Sequence, residues 1–389
     1  MKKVILLTAC TVAVLLSGCS DNELASVGDG IGTSTQSAIG FHVVGNQAET
    51  RATPITPSNI TTTDFNVFAF TRNEADGTDG NFFMGEKANA FGQTGIKIDH
   101  TKGAWDYANA SDLHYWPTTS LNFYAVSPGS FDNTAMLPVY GWSIKKDAKT
   151  ITYSSFDEYG SNHGEKNWDV MYAIAPDQKK TATNKKVKFQ FKHILSQVEF
   201  KAKTQLANME VEIKEIKIYN FLMGGTYTLP AASASASTSD GTWALKTDVS
   251  NRGKFTVVKD KAIKVTSTGE KISVDGPMLF VPQTLKAWDV TTPKTIEQAK
   301  NNGESYLEIV CKIKQENEYV FGSETAYLPL YVPFGTTWEQ GKHYIYTLIF
   351  GGGYDANGKP ILQPINFEAE TDVWTEATGN SNNDNDVNL

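Results

Sequence analysis

Ile39-Gly40-Phe41-His42-Val43-Val44 alternates Ile39, Phe41 and Val43 with Gly40, His42 and Val44. A period of two is the signature of a half-buried β-strand, because successive side chains point to opposite faces. The pattern recurs along the chain. Strands are predicted at Phe65–Phe70, Leu121–Val126, Thr150–Tyr153, Val170–Ala175, Val187–Phe191, Gln197–Ala202, Glu210–Tyr219, Phe255–Val258, Ala262–Val265, Met278–Val281, Tyr306–Lys314, Glu324–Pro329, Tyr344–Phe350 and Ile361–Glu370. They are rich in β-branched and aromatic residues and bounded by Gly, Pro, Asn and Asp, which favour turns. Thr295–Lys300 is the one helical prediction, of one or two turns. Many short strands joined by turn chemistry specify an all-β fold of sandwiches or barrels.

Upstream of Ile39 the chain reads as targeting and tether. Lys2 and Lys3 give a positive start, Val4 to Leu16 is an apolar run, and Leu16-Ser17-Gly18-Cys19 closes it with small residues. That tetrapeptide is a lipobox, which predicts removal of residues 1–18 and lipidation of Cys19. The run is too short for a transmembrane helix, which needs about 20 residues, so the mature chain is expected to hang from a membrane by lipid alone. Residues 19–37 are rich in Gly, Ser, Thr and Asp, a flexible composition. Ser20-Asp21-Asn22-Glu23 is either a surface-export signal or a plain polar spacer. Downstream of the strand come polar Gly45 to Thr50 and then Arg51-Ala52, so a trypsin-like cut after Arg51 would separate the strand from the body.

The 389 residues, 40% apolar and 11% aromatic, suffice for two ordinary cores. The polar, lysine-rich Asp177 to Lys186 is the best boundary, giving one domain over 38–183, a second over 184–375 and a polar tail over 376–389. The formal charge of −8 disfavours nucleic acid as a partner. Cys10 lies in the leader and Cys19 takes the lipid, so Cys311, inside an alternating pattern, reads as a buried structural thiol.

Catalytic and metal-binding signals are thin, and no enzyme, cofactor or metal site is expected. Gly28-Asp29-Gly30-Ile31-Gly32 has no strand before it and no helix after it, so it is not a phosphate cradle. Asn357-Gly358 is a hairpin-turn signal. His163, Glu165, Asp157 and Glu158 sit in a Gly-, Ser- and Asn-rich stretch typical of solvated charge. No histidine pairs with another His or a Cys at a zinc spacing.

Aromatic signatures carry more. Tyr115-Trp116-Pro117 precedes Leu121-Asn122-Phe123-Tyr124-Ala125. Trp168-Asp169-Val170-Met171-Tyr172-Ala173 and Phe191-Lys192-His193-Ile194-Leu195 follow. The second half adds Gly225-Thr226-Tyr227, Trp243, Met278-Leu279-Phe280-Val281-Pro282-Gln283, and Trp338-Glu339-Gln340-Gly341-Lys342-His343-Tyr344. In this order, behind a lipobox and Thr50-Arg51-Ala52, they resemble the fimbrillin (Mfa-like) family of Bacteroides-type pilus lipoproteins.

The resemblance implies two tandem transthyretin-like β-sandwich domains and a surface fimbrial subunit at the outer membrane, anchored by lipid on Cys19. It implies an arginine-specific protease cutting between Arg51 and Ala52 and loss of the strand carrying Ile39, Phe41 and Val43. Other fimbrial subunits would then refill the groove by donor-strand exchange. The donor is expected near the C-terminus, where Ile361, Ile365 and Phe367 offer apolar positions. Because the segment beyond Trp374 is polar, 361–374 can equally be the last strand of the second domain. Stalk, tip and anchor roles stay open. The alternative is a monomeric surface lipoprotein binding a glycan or host ligand, with Trp105, Trp116, Trp142 or Trp168 as a stacking platform.

Overall fold

The computed structural model describes residues 37–43, 60–88, 93–129, 139–155, 169–181, 186–232, 240–272, 278–292, 294–351, 354–361 and 366–373. The first half supplies β1 (Gly40–Val43), β2 (Phe65–Arg72), β3 (Asp79–Met84), β4 (Ile96–Asp99), β5 (Asp106–Tyr107), β6 (Leu121–Ser127), β7 (Val139–Ile144), β8 (Lys149–Ser154) and β9 (Met171–Gln178). Then come β10 (Lys186–Phe189), β11 (Lys192–His193), β12 (Ser196–Thr204), β13 (Met209–Leu222), β14 (Gly224–Thr228), β15 (Thr242–Leu245), β16 (Arg252–Val258), β17 (Ile263–Val265), β18 (Glu270–Lys271), β19 (Met278–Phe280) and β20 (Gln283–Ala287). A short helix α1 (Ile296–Asn301) leads into β21 (Glu304–Gln315), β22 (Glu318–Phe321), β23 (Leu328–Pro333), β24 (Thr336–Trp338), β25 (Lys342–Phe350) and β26 (Asn366–Val373). The protein is all-β.

Helix α1 begins one residue later than predicted because Thr295 is its cap: the Thr295 hydroxyl accepts from the Gln298 amide while Gln298 reaches back to the Thr295 amide. Asn357-Gly358 makes the expected turn, with Gly358 at φ +78° and the Asp355 amide bonded to the Lys359 carbonyl. Two predicted strands shift. Glu324–Pro329 is replaced by Leu328–Pro333, because Gly322 (φ +73°) and a reciprocal Ser323–Ala326 backbone pair turn the chain first. Of predicted Ile361–Glu370, residues 362–365 lie outside the described residues, and the strand described is Asn366–Val373, running on past Glu370.

Pairing assembles five sheets among the described residues. β1 runs parallel to β10; β11, β9, β6, β2, β4 and β5 lie side by side with β3 also on β2. The third sheet orders β18-β12-β25-β26, and the largest orders β16-β13-β21-β20-β24 with β17, β22 and β23 attached. The last, β15-β14-β8-β7, mixes strands from early and late in the chain. One core cluster gathers Ile39, Phe65, Phe123 and Met171 with Val187, Phe189 and Phe191. A second runs from Val198 to Phe350. A third joins Phe70, Tyr124 and Tyr153 to Tyr227, Leu229 and Val281.

The mixed sheet depends on close backbone approach. Gly224 faces Ser154 and Thr228 faces Thr150. A Cβ on Gly224 would fall 2.2 Å from the Tyr153 carbonyl oxygen, and one on Gly225 2.4 Å from that of Ala244, so only glycine fits either position. Beside this seam lies a buried ion pair: Lys149 Nζ is 2.7 Å from Asp79 Oδ2. The ammonium sits 4.8 Å from the centroids of both the Phe70 and Tyr124 rings. Asp79 also accepts from the Tyr124 hydroxyl at 2.7 Å and from Asn122 Nδ2 at 2.9 Å, which ties β8 to β3 and β6.

Candidate functional site

Strand β1 is short, and its side chains sort cleanly. Ile39, Phe41 and Val43 are buried to 6% exposure or less, while His42 faces outward. Phe41 lies parallel to Phe189 at 6.1 Å and meets Tyr107 edge-on at 5.4 Å and Phe123 at 6.4 Å. Phe189 in turn packs on Phe65, and Phe65 on Trp105 and Phe191. The strand is thus the lid of an aromatic groove floored by β2 and β6.

Its backbone is held less firmly than its side chains. On one side it pairs with β10, Gly40 opposite Lys186 through Val43 opposite Phe189, in the parallel geometry that is slightly weaker per residue. On the other, the Ile39 amide donates to the His114 carbonyl at 2.9 Å and the Trp116 amide to the Ser37 carbonyl at 3.1 Å. The exposed Leu113 and Tyr115 flank this contact. On the outer surface His42 stands opposite Lys188; partial burial and then Lys186 and Lys188 push its imidazole below the usual value. The chain re-enters the same core at Ile60, buried in a 3₁₀ turn before β2. Arg51 and Ala52 fall between Val43 and Ile60, outside the described residues, as does Cys19.

The C-terminal residues lie elsewhere. β26 pairs antiparallel with β25 over its full length, Asn366 opposite Ile349 and Val373 opposite Lys342. Phe367 holds the register position opposite Leu348, Ile361 is half-buried against the second core, and Ile365 lies outside the described residues. One strand further in, Glu199 on β12 is 3.4 Å from His343 Nε2 and 2.9 Å from Lys271 Nζ. The His343 contact, and then Lys271, outweigh the cost of partial burial and lower its carboxyl from 4.5 to about 2. A depressed carboxylate stabilises the fold above its unfolded value and ceases to do so as pH falls through the folded one. Glu199→Gln is therefore expected to be less stable than the parent at neutral pH, with the gap closing between about pH 4.5 and pH 2 in an acid titration followed by circular dichroism.

The remaining sequence candidates separate. Trp116 is buried in the first core, Trp105 and Trp142 are half-buried, and Trp142 donates its indole N–H to the Thr94 carbonyl at 3.2 Å. Trp168, His163 and Glu165 are outside the described residues, with Asp157 and Glu158. Cys311 is fully buried, and burial alone pushes its thiol well above the usual value. Among the described residues no three His, Cys, Asp or Glu side chains gather as a metal site.

A family model described as fimbrillin-like matches residues 50–383. No curated protein sequence matches. Solved structures do: a candidate cell adhesion protein of Bacteroides uniformis at 12% identity and TM-score 0.44, covering 87% of this chain and 99% of that one. A second, from Bacteroides ovatus, is 12% identical with TM-score 0.42, covering 88% and 99%. The tip fimbrial protein Mfa3 of Porphyromonas gingivalis, with its C-terminus truncated, is 10% identical with TM-score 0.33, covering 80% and 94%.

Proposed function

This chain belongs to the fimbrillin-like family, and we propose that it polymerises by accepting a neighbour's strand into the groove of Ile39, Phe41 and Val43. Membership makes it a fimbrial, adhesion-type subunit of the cell surface, associating with other fimbrial subunits in a structural role. In the finer reading Cys19 carries lipid to the outer membrane and an arginine-specific protease cuts between Arg51 and Ala52. The strand then leaves, and of the two transthyretin-like sandwiches expected over 38–183 and 184–375 the first begins at Ala52.

The observation that supports this is the seating of β1. Three buried anchors at roughly 1.5–3 kcal/mol each give about 5–9 kcal/mol of apolar stabilisation before ordering costs. The backbone holding them is four residues of parallel ladder and a few flanking bonds. An emptied groove would present unpaired donors and acceptors above an aromatic floor, and a strand from another subunit would satisfy both. Because donor and groove lie on different molecules, the contact is head-to-tail and repeats into a fibre. If Ile361, Ile365 and Phe367 are the donor, β26 must leave β25 to be passed on. If it stays, the subunit accepts without donating and belongs at the tip.

Mass spectrometry of the protein recovered from its native cell surface tests the reading. The expected mature form begins at Ala52 and carries no acyl chain. Recovery only of a form beginning at acylated Cys19 would remove polymerising status and leave an anchor or a monomeric binding lipoprotein.

A further inference from the structure

The outer face of the largest sheet changes character at one end. Along β13, Glu210, Glu212, Glu215 and Lys217 face away from the core that takes Val211, Ile213, Ile216 and Ile218, and Tyr219 continues the outward phase. β21 follows with Lys314, Lys312 and Glu308, then Tyr306, and β23 adds Tyr331. Register sets Tyr219 opposite Tyr306, and places Lys217, Glu308 and Tyr331 in one row across three strands. The Tyr219 and Tyr306 rings stack at 5.0 Å and 13°, and Tyr331 meets Tyr306 edge-on at 6.1 Å. Trp288 contacts Tyr306 at 6.1 Å and Tyr354 at 6.2 Å, closing the cluster from the side of α1.

Three features separate this cluster from an ordinary core. Tyr219, Tyr331 and Tyr354 keep part of their surface in solvent. Glu308 stands in the row between Lys217 and Tyr331, and its half-buried carboxylate is pushed above its usual value by that burial. Trp288, 2% exposed, has an indole N–H with no partner, a buried donor left open inside the cluster.

We propose that Tyr219, Tyr331 and Tyr354, arranged around Glu308, form a carbohydrate-binding platform. A pyranose has one apolar C–H face and a rim of hydroxyls, and this surface offers rings for the first and a carboxylate acceptor for the second. Lys217, beside Glu308, and Lys254, opposite Tyr219, add donors at the margin. Glu308 repels an isolated anion, and an apolar peptide would desolvate the carboxylate without bonding it. The platform lies on β13, β21 and β23, apart from the strand groove at β1 and β10, so either assignment stands if the other fails.

Saturation-transfer NMR of the full chain tests it, using the methyl glycosides of galactose, mannose, xylose and N-acetylglucosamine and mucin-type oligosaccharides. At least one is expected to receive saturation. Glu308→Gln should weaken its binding about 10- to 100-fold, the loss of a charge-assisted hydrogen bond, with an unchanged melting curve. Tyr331→Ala should weaken it comparably, and Tyr331→Leu, which keeps apolar bulk but no ring face, serves if the alanine variant does not fold. Silence with every sugar overturns the proposal. So does undiminished binding by Glu308→Gln together with the Tyr331 variant, or binding only of acidic peptides or inorganic phosphate.

Discussion

Asp79→Ala is expected to remove about 3–5 kcal/mol of stability in chemical denaturation, the characteristic cost of leaving one member of a buried ion pair alone. Lys149 and Asp79 are only 8% and 7% exposed at their side chains. Without the carboxylate, the ammonium keeps the two flanking rings and the Lys146 carbonyl, which accepts from it at 2.7 Å, but no countercharge. Tyr124 and Asn122 lose an acceptor at the same time. The double variant Asp79→Leu/Lys149→Met should recover most of the loss, because an apolar pair of similar volume removes both desolvation penalties. A single variant that melts like the parent would mean that the charges are solvated and that the seam is held by packing alone.

The second large effect concerns β1. A chain beginning at Ala52 is expected to sit near the edge of unfolding, since the roughly 5–9 kcal/mol of apolar burial it loses matches the 5–15 kcal/mol total of an ordinary domain. Adding a synthetic peptide of sequence Ser37-Ala38-Ile39-Gly40-Phe41-His42-Val43 should raise its melting temperature with concentration, as any ligand of the folded state does. The same peptide with Phe41→Asp should fail, because it would place an uncompensated charge against Phe189, Tyr107 and Phe123. Thermal melts across a peptide titration read both outcomes. A truncated chain as stable as the parent, or one indifferent to the peptide, would show that the groove closes without a strand.

Alternation made β1 legible in the sequence because it needs no partner to be seen: Ile39, Phe41 and Val43 are in phase, and their burial follows. β3 was not legible. Asp79-Gly80-Asn81 has turn composition, and its strand exists because β2 supplies the ladder and Lys149 the countercharge. Neither was the β8–β14 seam, since nothing local in Thr150–Tyr153 names Gly225–Thr228 as its neighbour. The tyrosine cluster carried a signal that strand reading passes over. Tyr219 is in phase with Lys217 and Glu215 rather than with Ile216 and Ile218, so it had to face outward. Only the sheet register shows that Tyr331, more than a hundred residues later, arrives beside it.

The glycine-dependent seam between β8 and β14 also bears on how a fibre would carry load. Tension entering one half of a subunit must cross a sheet whose strands come from both halves, pulling against several hydrogen bonds at once rather than opening a hinge. Each subunit is then a stiff link. In a filament built by the proposed strand exchange, stretch would concentrate in the short inserted strands between links, so the joint through which such a polymer grew would also be where it gave under shear.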